Sequence, residues 1–301
     1  MRKKQITERK VIQDSPTRRP YGAKLTLILE EDTKFPIDGP CELLISTDHI
    51  IRISPRIDEK NTSHQIWDIF VEGFATACEA EQAGLRAALG FFWSAVQGHY
   101  SIRLHYHTPL PCMVYDRNKR SGLQLTDSVS LTVVKGLNNI ITPLDHVLKK
   151  DGAVDHRLLL AIELFASARL ETTERARFIG LVSSLEPIAI QDSIENDEFI
   201  RLIDEYKKRV SSLDLDKSLR DSLIGRINQL KKESIGRSIQ KLVLRCLPDD
   251  PVSMEIIKEA YNIRSQILHN GSTDADLSQK TNQVETVIRK IIECLISTHL
   301  N

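Results

Sequence analysis

From residue 154 to the C-terminal end, apolar residues recur three and four apart, and no stretch alternates as a strand would. The pattern is interrupted at Glu171-Thr172-Thr173, Asp192-Ser193, Ser212–Asp214, Glu233-Ser234 and Leu247-Pro248-Asp249-Asp250-Pro251. Each break is rich in capping or helix-breaking residues. These signals place helices near 154–170, 173–190, 196–211, 215–231, 234–246, 253–270 and 275–298. Many helices joined by short connections leave a bundle as the expected fold for 150–301.

The first half follows another pattern. Lys24–Leu29, Glu42–Ser46 and Ile50–Ile53 suit short strands. A long helix is expected from about Ile66 to Val96, with Ile69, Phe70, Phe74, Ala77, Leu85, Leu89 and Phe92 on its apolar face. Trp67 and Trp93 then serve packing, and Gly84 marks a close helix contact or a bend. Ser101–His107, Cys112–Tyr115 and Ser128–Val134 read as further strands. Strands, a helix and more strands make a small α+β domain over 21–140. A basic arm over 1–20 precedes it, and a joint from Asn138 to Gly152 leads into the bundle. The fold class expected is α+β, with a small α+β domain followed by an all-α bundle.

The 41 Lys and Arg residues are balanced by 41 Asp and Glu, so any nucleic-acid partner must be met by a local patch. Arg237, Lys241 and Arg245 share one helix face and offer such a track for RNA, although a solvated face is the simpler reading of them. His105 and His107 share a strand face without a third ligand at metal-binding spacing, and the five cysteines include no close pair. No metal and no cofactor is expected, and the thiols suit a reducing, cytoplasmic setting. The N-terminal residues lack the apolar core of a secretory signal. Leu158 to Ala168, interrupted by Glu163, is too short to span a bilayer, so no membrane partner is expected.

The segment Glu255 to Gly271 concentrates the chemistry. It reads as an amphipathic helix with Ser253 as N-cap and Asn270-Gly271 as the C-terminal stop. Met254, Ile257, Tyr261, Ile263, Ile267 and Leu268 are its candidates for the core. Ser265 and His269 are four apart and stack on one face, with Asn262 a turn back and Asn270 just beyond. Arg264 lies about 140° around the helix from His269, within swing of its long side chain.

Arg264-Ser265-x-x-x-His269 followed by Asn270-Gly271, on the penultimate helix of an all-helical half, resembles the HEPN superfamily, most closely its Apea-like branch. The segment Arg177-Phe-Ile-Gly-Leu-Val-Ser-Ser-Leu-Glu186 is similar to the upstream helix of that branch, and Pro187 after it departs from the pattern. The resemblance covers roughly residues 150–300. It implies that the two helices pack together and that Glu186 reaches Arg264. It also implies a homodimer in which two Arg/His sets line one cleft.

A metal-free endoribonuclease needs what these residues offer. His269 can move a proton near neutral pH, and Arg264 can stabilise the charge on a pentavalent phosphate. Ser265, Asn262 or Asn270 can orient the imidazole or bond the phosphate. Products would carry 2′,3′-cyclic phosphate. The resemblance implies a toxin or anti-phage effector, with an antitoxin or regulatory protein as a further partner. A non-catalytic HEPN module that binds RNA or a nucleotide and dimerises within a larger assembly is the alternative. In a third reading the N-terminal domain carries the activity and the bundle only dimerises.

Overall fold

The computed structural model describes residues 19–29, 40–45, 49–56, 65–98, 102–105, 110–118, 138–149 and 153–299. The expected strand Ser128–Val134, His107 and all but the last two residues of the basic arm lie outside them. The described residues form two compact units. One comprises Met1–Phe91 with Leu104–Lys149, the other Phe92–Arg103 with Lys150–Asn301.

The first unit holds strands β1 (Tyr21–Leu29), β2 (Cys41–Ile45), β3 (His49–Arg56) and β4 (Gln65–Phe74). Helix α1 (Ala77–Gly98), β5 (Ile102–Leu104), β6 (Met113–Asp116) and helix α2 (Asn138–Leu148) follow in the chain, with α1 from Phe92 on and the first two residues of β5 counted in the second unit. The sheet order is β2-β3-β4-β1-β5, with β6 also paired to β1. Register gives the sheet two distinct faces. Leu25 pairs with Ile69 and Leu27 with Trp67, while Ile51 and Ile53 pair with Val71 and Ile69, all buried. On the opposite face Thr26 pairs with Asp68 and Arg52 with Phe70. There Arg52 and Tyr115 both reach the Glu72 carboxylate, at 3.2 and 2.7 Å.

Two expectations for this unit are corrected. Residues 65–74 are a strand, which places Trp67 on the sheet rather than on a helix. The spacing of Ile66, Ile69 and Phe70 mimics a helix, but the alternation of Trp67, Ile69 and Val71 against Asp68, Phe70 and Glu72 matches a sheet with one polar face. Gly73 at φ 103° sits at the register shift between the Tyr21 and Gly22 pairings, one residue before the strand ends. Thr76 and Glu79 then cap α1 reciprocally, each side chain accepting the other's backbone N–H. The joint is likewise not a linker throughout, because 138–148 forms α2 with Pro143 inside it. Burial of Ile140, Leu144 and Val147 outweighs the hydrogen bond that the proline removes. Gly84 is a close contact, since a Cβ there would lie 2.7 Å from Cys112 Sγ and 2.8 Å from Ala23 Cβ.

From His156 on, the second unit is helical as expected. It contains α3 (His156–Ala168), α4 (Glu174–Ser183), α5 (Asp197–Ser211), α6 (Lys217–Gln229), α7 (Ile235–Cys246), α8 (Pro251–Asn270) and α9 (Leu277–His299). Polar N-caps open α3 to α8, from Asp155, Thr173, Asn196, Asp216, Ser234 and Asp250. Helix α4 is shorter than expected, and a 3-10 turn at Glu186–Ile188 follows it, as Pro187 requires. Helix α4 packs on α3, α8 and α9. Its place is set by Glu285 of α9, a buried carboxylate bonded by Arg177 of α4 at 2.8 Å and Arg289 at 2.6 Å. Arg169, beyond the end of α3, adds its charge at 3.7 Å. Burial pushes the Glu285 carboxyl up, but the Arg169 charge and the bonds from Arg177 and Arg289 outweigh it and hold it below its usual value.

Replacing Glu285 by Gln is expected to lower stability at neutral pH by about 3 kcal/mol, because the surrounding arginines lose their counter-charge. The folded carboxyl is depressed, so its contribution is complete above the ordinary Glu pKa and is lost as pH falls through the folded value. The gap between wild type and variant should narrow on acidification, as urea titrations at several pH values would show. The glycines give a second check. Gly84→Ala should destabilise by about 1–3 kcal/mol through overpacking. Gly225→Ala, with nothing within 4 Å of the added Cβ in α6, should stabilise by roughly 0.5–1 kcal/mol in the same assay.

Candidate functional site at the end of α8

Helix α8 starts one turn earlier than expected. Asp250, not Ser253, is its N-cap, with Pro251 preset for the first turn. Ser253 donates both its N–H (3.0 Å) and its Oγ–H (2.7 Å) to the Asp250 carboxylate. These bonds and one from Lys290 hold that carboxyl at about 2. The far end is as read, with Gly271 left-handed at φ 74° and its N–H bonded to the Ile267 carbonyl. Ile257, Ile263 and Ile267 are buried, but Leu268 is 50 % exposed and does not belong to the core. It sits in the last turn, beside exposed His269 and Asn270.

Arg264 points into the bundle. Its Nη2 lies 2.7 Å from Glu186 Oε1 and 3.4 Å from Ser183 Oγ. The first contact is a charge pair without an aligned N–H. Glu186 Oε1 and Arg264 Nε therefore remain buried without a hydrogen-bond partner among the described residues. One turn back, the Tyr261 ring lies 5.9 Å from the Arg264 guanidinium carbon. The ring is also approached closely by α7, for a Cβ on Gly236 would stand 3.1 Å from it. Three elements thus converge on one guanidinium, α4 through Ser183, the 3-10 turn through Glu186 and α8 through Tyr261, whose ring α7 approaches at Gly236.

His269 is exposed in the last turn of α8, and its imidazole has no hydrogen-bond or ion-pair partner among the described residues. Ser265 is half-buried between Arg264 and His269, while Asn262 and Asn270 are exposed. Within one chain the arginine is held and the histidine is free, and no hydrogen bond joins them. Ser183 was missed in the sequence. Its only signal was its place one turn before Glu186. Tyr261 was read as core, although its spacing of three from Arg264 is that of a stacked helix pair.

The stripe on α7 is not a row of free cations. Lys241 Nζ is bound by Asp192 at 2.7 Å and Glu233 at 2.8 Å, and Arg237 pairs with Glu233 at 3.5 Å. Arg245 is exposed beside Cys246. Folding also joins two cysteines far apart in sequence. Cys246 and Cys294 share a thiol hydrogen bond, and burial together with that bond pushes the Cys246 thiol up to about 12. Among the described residues no group of three His, Cys, Asp or Glu side chains is placed to hold a metal, and no helix is long and apolar enough to cross a membrane. The first unit has an open cleft of about 410 Å³ lined by Arg19, Gly73, Phe74, Cys78, Glu79 and Arg86 among others. No family model, no curated protein and no solved structure matches the chain.

The Glu186–Arg264 pair is partly exposed, with side chains 28 % and 20 % accessible. A double-mutant cycle with Glu186→Gln and Arg264→Met should give a coupling of about 1–2 kcal/mol, between the values for exposed and buried pairs. Additive effects of the two changes would contradict the pairing.

Proposed function

We propose that the chain is a metal-independent endoribonuclease of the HEPN type whose half-site is Arg264, Ser265 and His269. The observation that carries this reading is the contrast at the end of α8. Arg264 is oriented by Glu186, Ser183 and Tyr261, whereas His269, one and a half turns on, stands exposed and without a partner among the described residues. A held guanidinium suits a fixed phosphate contact. A free imidazole suits proton transfer with a substrate that is not yet present. Cleavage by 2′-hydroxyl attack takes one proton from the nucleophile and returns one to the departing 5′-oxygen. One histidine per chain then calls for a second copy, and a homodimer with two facing α8 ends supplies it. Glu186 is a positioning residue in this scheme. Exposed Asn262 and Asn270 are available to bond phosphate or ribose. Ser265, one helical turn before His269, is the residue assigned in this scheme to orient the imidazole. Of the α7 cations, Arg245 and Arg237 are better placed than Lys241 to meet RNA, since Lys241 already has two carboxylates.

A second reading, a non-catalytic HEPN module that binds RNA or a nucleotide, is favoured by the same ion pair. The Arg264 charge is already met by Glu186, and a substrate phosphate must compete with it.

Purified chain incubated with total RNA in EDTA decides between them. The ribonuclease reading expects cleavage leaving 2′,3′-cyclic phosphate, reduced about 100-fold or more in His269→Ala and by a similar factor in Arg264→Ala. Glu186→Gln should lose less and retain the pH profile. RNA retention without cleavage by wild type and His269→Ala alike supports the binding module. Cleavage that survives His269→Ala removes the site assignment.

A further inference from the structure

Helices α5 and α6 form a hairpin that packs mainly on itself. Its base is closed by the bridge between Ser193 and Lys232 and by the bonds Ile194 N–H to Lys231 O and Glu233 N–H to Asp192 O, which join the segment entering α5 to the one leaving α6. Lys231 Nζ reaches Asp204 at 2.6 Å. Ile203 is the one fully buried side chain of α5, and α6 has none. Phe199, Ile200 and Val210 on α5 and Leu223, Ile224 and Ile227 on α6 are half-buried. Leu202 and Tyr206 remain 46 % and 53 % exposed.

The exposed face of α5 has an ordered charge pattern. At 100° per residue, Glu198, Leu202, Glu205, Tyr206 and Arg209 fall within about 100° of arc, away from Ile203. Arg201 borders them. None of Glu198, Arg201, Glu205 and Arg209 has an ion-pair partner among the described residues. Acidic residues at the first turn and basic ones at the last suit the helix dipole, which accounts for the gradient alone. It does not account for a leucine and a tyrosine exposed between them. A second α5 laid antiparallel accounts for both. A two-fold axis near the Leu202–Tyr206 turn sets Glu198 against the partner's Arg209 and Arg201 against the partner's Glu205, each twice, around an apolar centre. This is the self-complementarity that an isologous contact requires.

We propose that the exposed face of α5 is a self-association surface whose partner is a second copy of this chain, antiparallel across a two-fold axis. The contact is separate from the α8 ends and does not depend on whether they cleave RNA.

Sedimentation equilibrium of the full chain at low ionic strength tests it, with Glu198→Arg, Arg209→Glu, the double reversal and Leu202→Asp compared with wild type. Each single reversal replaces both copies of an attractive pair by repulsion and should weaken association roughly tenfold or more. The double reversal restores opposite charges across the axis and should return the mass toward wild type, although it opposes the helix dipole. Leu202→Asp removes the apolar centre and should lower the mass independently of the helix ends. Circular dichroism should be unchanged, since all three positions are exposed. A monomeric wild type, or a mass unaffected by the single reversals and Leu202→Asp, overturns the proposal. So does a double reversal that stays as dissociated as the single ones. If the α8 ends also pair, loss of the α5 contact lowers the mass by one step rather than to the monomer. That outcome supports the proposal, and RNA cleavage is read separately.

Discussion

A carboxylate inside a helical bundle is costly unless cations meet it, and Glu285 sets this requirement for the second unit. Arg177 reaches it from α4, Arg289 from its own helix, and Arg169 from the end of α3. Satisfying the charge leaves little freedom in how α4 sits against α9. With Arg177 committed there, the last turn of α4 is committed too, and the chain leaves it along a path that Pro187 makes abrupt. Ser183 and Glu186 are delivered to Arg264 by this arrangement rather than by any preference of their own. The ion pair at α8 therefore depends on a charge cluster elsewhere in the bundle.

The same hierarchy decides how much could be read from the chain. Helices of the bundle were legible because each carries a 3.6-residue apolar pattern and nearly all begin at a polar cap. Asp250 was misread because two good caps stand three residues apart, and the choice between them rests on the Pro251 backbone and the way Ser253 bonds back to Asp250. Strand β4 was misread for a related reason. Ile66, Ile69, Phe70 and Phe74 satisfy a helical spacing by coincidence, and only pairing with β1 and β3 reveals the alternate face on which Asp68 and Glu72 lie. Helix α2 has a proline in its interior, and burial of three apolar side chains overrides that local signal.

At the site, the reach of Glu186 to Arg264 followed from likeness to the HEPN pattern and from no local rule. Ser183 and the stacking of Tyr261 did not follow, because they depend on the roll of α4 and α8 about their axes. The α7 stripe shows the opposite limit. Arg237, Lys241 and Arg245 are regular in sequence, yet Asp192 and Glu233, one outside the helix and one just before it, take up the charge of Lys241. Regular spacing identifies a face and says nothing of what lies opposite.

Gly236 and Tyr261 meet so closely that a side chain at 236 makes the ring give way by a few tenths of an ångström, and a smaller residue at 261 leaves Arg264 without its platform. Positions tied by contact rather than by local preference can change only in concert. Two such couples, Gly236 with Tyr261 and Glu186 with Arg264, span three segments of the bundle and are independent of overall similarity. Together they form a sparse fingerprint by which distant chains of the same design could be identified even where the rest of the sequence has diverged beyond alignment.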